Sequence, residues 1–81
     1  MKTLSECRVA IDAIDNQMLE LLNERMNIVK RVGEIKNQSK ESIYKPEREK
    51  SILERLSRKS IEDGGLLNSD AIEAIFLKIF A

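Results

Sequence analysis

Apolar residues recur at helical intervals through the first half of the chain, at Leu4, Ile11, Ile14, Met18, Leu21, Leu22, Val29, Val32 and Ile35. This spacing predicts one long amphipathic helix. It starts at a capping box, Thr3-Leu-Ser-Glu6, and ends near Asn37-Gln38-Ser39, about 34 residues or roughly 50 Å of axis. Lys40 to Lys45 reads as a polar loop, and Pro46 opens a second helix with Glu47 and Glu49 in its first turn, where the macrodipole favours acids. Ile52, Leu53 and Leu56 supply the buried face of that helix. Gly64-Gly65 stops it, and Asn68 or Ser69 caps a third helix with the stripe Ile72, Ile75, Phe76, Ile79 and Phe80. The fold class is therefore all-α, with three helices per chain, one long and two short. Gly33 stands out inside the long helix, where glycine costs about 1 kcal/mol against Ala. Its presence predicts close approach of another backbone or a ligand.

The helix lengths do not balance. A helix of roughly 50 Å cannot bury its whole stripe against two partners of roughly 20 Å each, so a second copy of the chain is the simplest cover. An interleaved homodimeric helical bundle is expected, with the two long helices antiparallel about a twofold axis.

Composition narrows the chemistry. The chain has 81 residues, one cysteine and no histidine or tryptophan, which bounds it to one small domain without an internal disulfide. The lone Cys7, the lack of a signal peptide and the lack of an apolar run near ~20 residues point to a reducing cytoplasm and no membrane span. Fourteen basic and fourteen acidic residues cancel, so no global field recruits nucleic acid or an anionic membrane. No cluster has metal-ligand spacing and no glycine-rich phosphate loop is present, so neither metal nor cofactor is expected.

The informative residues are three cations on the apolar stripe. With Ile11 at zero and about 100° per residue, Leu4, Leu22 and Val29 lie within roughly 20°, Arg25 and Lys36 near −40° and −20°, and Arg8 near +60°. A buried cation without a counter-charge costs several kcal/mol, so each needs a carboxylate or an anionic ligand. Arg25 and Lys36 are about 16 Å apart along the axis and can converge on one small ligand, whereas Arg8 is roughly 26 Å from Arg25. An antiparallel partner would present its own Arg8 there, giving two equivalent sites per dimer, each completed in trans. Arg48 and Glu49, in the first turn of the second helix, add a cation and a carboxylate. The set suits a small dicarboxylate that carries a hydroxyl, because Arg pairs bidentately with carboxylates and Glu accepts from a hydroxyl. Plainer readings stand beside this one. Arg8 can pair with Asp12 or Asp15, Lys36 can snorkel at the helix end, and Arg48 and Glu49 can form an ordinary solvated first turn. Arg25 has only Leu21, Leu22, Ile28 and Val29 one turn away, so an intrahelical salt bridge does not explain it. Lys30, Arg31, Glu34, Arg55, Arg58 and Lys59 read as surface.

Arg8-x-x-Ile11-Asp12-x-Ile14-Asp15, Leu21-Leu22-Asn23-Glu24-Arg25, Val29-x-x-Val32-Gly33-x-x-Lys36 and Pro46-Glu47-Arg48-Glu49 resemble, in order and spacing, the all-helical class of chorismate mutases. The resemblance covers nearly the whole chain. It implies an intertwined homodimer of three helices per chain that converts chorismate to prephenate in aromatic amino acid biosynthesis. It implies that Arg25 and Lys36 bind substrate from one chain, Arg8 reaches in from the other, Glu49 holds the ring hydroxyl and Arg48 is a further cation of the pocket. Lys36 would also be the donor to the ether oxygen of the breaking bond. This chemistry needs no nucleophile, metal or proton transfer, so the absence of histidine is no obstacle.

Two departures from the family pattern are visible. Lys45 stands where many members have an acidic residue, three positions before Arg48. The third helix usually continues for one to two turns, carrying a Ser and then a Gln or Glu, and those positions lie beyond Ala81. The expectation that goes with this is a fragment of a longer chain, the N-terminal mutase domain of a bifunctional enzyme with prephenate dehydratase. Two other functions use the same features: an isochorismate pyruvate-lyase of the same fold, and a non-catalytic helical module for dimerisation or ligand sensing.

Overall fold

The computed structural model describes residues 3–39 and 46–80. Three helices are present, α1 (Leu4–Ser39), α2 (Pro46–Glu62) and α3 (Ser69–Phe80), with no strand among the described residues. They fall into two units, one holding α1 and the other α2 with α3. The expected loop from Lys40 to Lys45 lies outside the described residues.

α1 is one uninterrupted helix of 36 residues. Its start is fixed by Thr3, whose Oγ1 accepts the Glu6 N–H at 3.0 Å while its carbonyl accepts the Cys7 N–H at 3.1 Å. The first bond satisfies one of the donors that a helix start leaves open, and the second is the first regular bond of the helix. Glu6 in the first turn and Lys36 in the last both complement the macrodipole. No residue of α1 from Leu4 to Gln38 is buried. Apart from the half-buried Leu22, its large apolar side chains, from Val32 at 42% to Val9 at 67%, stay exposed along the length of the helix. The expected close neighbour of Gly33 is not found among the described residues, since a Cβ built there meets nothing within 4 Å.

The second unit has a core of its own. α2 and α3 pack together with Ile52 and Ile72 buried between them, and Leu53, Leu56, Phe76, Ile79 and Phe80 are half-buried around that pair. Ile75, expected on the buried stripe of α3, is 43% exposed and sits at its edge. The rings of Phe76 and Phe80, one turn apart, lie tilted at 55° with centroids 6.1 Å apart.

The turn between them follows from two glycines and an asparagine. Gly64 takes a left-handed φ of 68°, its N–H donates to the Ile61 carbonyl at 3.1 Å, and the Gly65 N–H donates to the Ser60 carbonyl at 2.8 Å. This nested pair is a Schellman closure, which favours a residue without Cβ at the left-handed position. Gly65 is required for a different reason: an added Cβ would fall 2.8 Å from Ser60 Oγ, the hydroxyl that donates to the Leu67 carbonyl at 2.7 Å. Of the two expected caps for α3, Asn68 is the one used. Its Oδ1 accepts the Ala71 N–H at 2.9 Å and its carbonyl accepts the Ile72 N–H at 3.0 Å.

Candidate functional site

Because α1 is continuous, sequence separation fixes where its cations sit. Arg25 and Lys36 are about 16 Å apart along the axis, and Arg8 lies roughly 26 Å before Arg25. Arg25 and Lys36 are half-buried although every apolar neighbour one turn from Arg25 except Leu22 is exposed. Both already make polar or electrostatic interactions within the chain. Arg8 is exposed, and among the described residues it makes no ion pair with Asp12 or Asp15. The internal salt bridge that would have explained Arg8 without a ligand is not formed. Val29 and Val32 lie between Arg25 and Lys36, so the cations flank an apolar strip beside the open space over Gly33.

Arg48 and Glu49 belong to the other unit, in the first turn of α2. Glu49 is half-buried and Arg48 exposed. The expected set thus stands in two groups, Arg8, Arg25 and Lys36 on one helix and the Arg48-Glu49 pair on another. Lys45 lies outside the described residues. The residues read as surface behave so: Arg31 pairs with Glu34 at 3.5 Å and Lys59 with Asp63 at 2.9 Å, all largely solvated. Such pairs contribute a few tenths of a kcal/mol.

A second order in α1 escapes a straight-helix projection. Leu4, Ile11, Met18, Arg25 and Val32 recur every seven residues, and Cys7, Ile14, Leu21, Ile28 and Ile35 form a parallel series offset by three. This is the heptad of a helix that wraps against another helix, and Arg25 is its only charged member. Arg8, Asp15, Leu22, Val29 and Lys36 form the row immediately beside that seam. Arg8 and Lys36 therefore flank this heptad seam, a relation visible only when a strict seven-residue repeat is counted in place of a 3.6-residue one.

The chemistry available is binding and electrostatics. The candidate residues supply guanidinium and ammonium groups and one carboxylate, and among the described residues no group of His, Cys, Asp or Glu has the arrangement of a metal site. No helix among them is long and apolar enough to cross a membrane.

Comparison with known proteins gives a consistent picture. The family model described as chorismate mutase type II matches residues 7–81. The chain is 42% identical over 82 residues to a bifunctional chorismate mutase/prephenate dehydratase of Aquifex aeolicus, covering all of this chain and 23% of that protein. It is 47% identical over 58 residues to a chorismate mutase of Methanocaldococcus jannaschii, covering 72% of this chain and 59% of the relative. A T-protein of Haemophilus influenzae is 35% identical over 75 residues, or 93% of this chain and 19% of that protein. The chain thus spans less than two thirds of the length of each of these relatives. No solved structure gives a significant match.

Proposed function

The chain belongs to the chorismate mutase type II family, and we propose that it converts chorismate to prephenate in aromatic amino acid biosynthesis, acting in the cytoplasm as an antiparallel homodimer. The observation that carries this reading is the row of cations on a long helix that buries nothing within its own chain. Arg25 and Lys36 bind the di-anion from one copy, and the partner's Arg8 completes the pocket. Arg48 adds positive charge, and Glu49 accepts from the ring hydroxyl.

The reaction is an internal rearrangement. One C–O bond breaks as one C–C bond forms, and no atom enters or leaves. Catalysis then reduces to holding the substrate in its compact, chair-like conformer and placing positive charge where the ether oxygen gains electron density. Clamping two carboxylates by guanidinium groups does the first, and the Lys36 ammonium does the second. Half-burial of Lys36 in the last turn of α1 supports that role, because a partly desolvated ammonium is a stronger donor than a fully hydrated one.

The trans arrangement gives a direct test. Arg8→Ala and Arg25→Ala chains, each nearly inactive alone, are mixed and allowed to exchange subunits while prephenate formation is followed. Activity should return in heterodimers, which hold one intact pocket. Absence of recovery despite verified exchange would refute the shared site. The products separate this function from its rivals: a pyruvate-lyase would release pyruvate and salicylate from isochorismate, and a sensing module would bind a bicyclic transition-state analogue without turnover.

A further inference from the structure

Asp15 has no assigned role, yet it lies in the row that carries Arg8 and Lys36. Its neighbours one turn away are Ile11, Asp12, Met18 and Leu19, none of them a cation. Among the described residues it forms no ion pair, with Arg8 or any other. A carboxylate beside an apolar seam loses hydration when that seam is covered, and several kcal/mol are then at stake unless a cation meets it.

The register of the proposed dimer supplies that cation. Two identical antiparallel helices about a twofold axis pair reciprocally, so fixing one layer fixes all of them. Only one register matches every member of the two heptad series with a member on the partner: Met18 faces the partner's Leu21 near the axis, and Leu4 faces the partner's Ile35 at the ends. A slip by one heptad in either direction leaves two seam residues at one end of each helix uncovered. In the full register Ile14 faces the partner's Arg25, and Asp15, next along the chain, is displaced from that Arg25 by about 1.5 Å of axial rise. The one charged seam residue and the one locally unmatched carboxylate of the flanking row meet, twice per dimer. The apolar layers alone select the register; the charge match is an independent agreement.

The charges of the pocket agree as well. Arg25, Lys36, Arg48 and the partner's Arg8 supply four positive charges, and Glu49 with the partner's Asp15 supplies two negative ones, leaving two to balance a di-anion.

We propose that Asp15 of each copy is a positioning residue for the partner's Arg25, holding one edge of its guanidinium by charge-assisted hydrogen bonds so that the remaining N–H groups meet a substrate carboxylate. The proposal rests on the dimeric mutase reading above and deepens it. Asp15 touches no substrate; it acts through Arg25.

Asp15→Asn keeps the shape and removes the charge. Assayed where the protein is fully dimeric, it should raise KM roughly 10- to 100-fold, the equivalent of a lost charge-assisted hydrogen bond, with a smaller change in kcat. The effect should vanish in an Arg25→Ala background and persist in an Arg8→Ala background. Equal effects in both backgrounds would overturn the pairing. The same double-mutant cycle read on the dimer dissociation constant needs no turnover: coupling there in a chain without mutase activity would retain the pair and remove the functional reading, and no coupling in either readout would remove the pair. Register is tested separately by Val32→Cys, which places a thiol opposite the partner's native Cys7. Oxidation should link the two chains, and a dimer that yields no link would overturn the register on which the proposal depends.

Discussion

α1 and the α2–α3 pair solve the same problem in opposite ways. The pair is built from helices of 17 and 12 residues and buries Ile52 and Ile72 against each other. α1 has 36 residues and buries none, although it carries most of the exposed large apolar side chains. The difference lies in the connections. Four residues separate Gly64 from Ser69, the Schellman closure and the Asn68 cap turn the chain back within them, and the two apolar faces meet. Within α1 the chain makes no turn, because Gly33, its only glycine, is accommodated in the helix. Two short helices that fold back cover each other's apolar faces, whereas the apolar stripe of α1 stays exposed. In the proposed dimer a second α1 covers it, and the surface that serves as a core in one unit serves as an interface and a binding wall in the other.

The largest effect is expected where that contrast is greatest. Leu21→Asp places a carboxylate in the central layer of the proposed seam twice per dimer, each at several kcal/mol. Sedimentation at micromolar concentration should give a species near 9.3 kDa with reduced helical circular dichroism, while the wild type sediments as a dimer. A dimeric Leu21→Asp protein would show that the seam is elsewhere.

Next comes the chemistry on the same helix. Lys36→Ala removes an interaction made mainly in the transition state and should lower kcat by ~10²–10³, about 3–4 kcal/mol, with little change in KM. Arg25→Ala, which deletes a carboxylate clamp in ground and transition states alike, should raise KM strongly. Steady-state kinetics on both variants make the comparison, and near-normal kcat in Lys36→Ala would return that lysine to a helix-end residue.

In the hairpin unit the effects are those of an ordinary small core. Ile72→Ala should destabilise by about 2–4 kcal/mol in denaturant titration, through the lost transfer energy and the cavity left behind. Asn68→Ala removes the α3 cap and should cost about 1 kcal/mol in the same measurement, leaving KM and kcat unchanged. Seam variants should make the thermal midpoint depend differently on protein concentration, and these two should shift it equally at every concentration.

How far the sequence carries the reader differs between the two regions. Helix ends were legible to within a residue or two, because Thr3, Pro46, Gly64 and Asn68 act locally and leave their mark in the chain itself. Only the choice between Asn68 and Ser69 required geometry, since either side chain can accept from the first turn. The buried face of α2 was legible from periodicity, while of the three cations expected on one stripe of α1 Arg25 and Lys36 are half-buried and Arg8 is exposed. The role of Asp15 was not: on a straight projection it is simply a possible mate for Arg8, and that pairing is ruled out only when the side chains are placed. Gly33 was read as a point of close approach, and among the described residues no atom fills that space. Both cases share one reason. In the proposed dimer the interactions that select these residues are made outside the chain whose sequence is read, and no local pattern records them.

The compact turn from Gly64 to Asn68 has a kinetic meaning too. Its contacts join residues close in sequence, so α2 and α3 can dock on their own as a fast unimolecular step whose rate ignores dilution. In the proposed dimer, covering α1 requires an encounter between two molecules, and that step slows as the protein is diluted. A freshly made chain would therefore hold a finished hairpin while its longest helix still waits for a mate, and during that interval the cations of the site are present but unassembled. Catalytic competence would then appear with the second-order step and carry its concentration dependence, long after most of the secondary structure of the hairpin has formed.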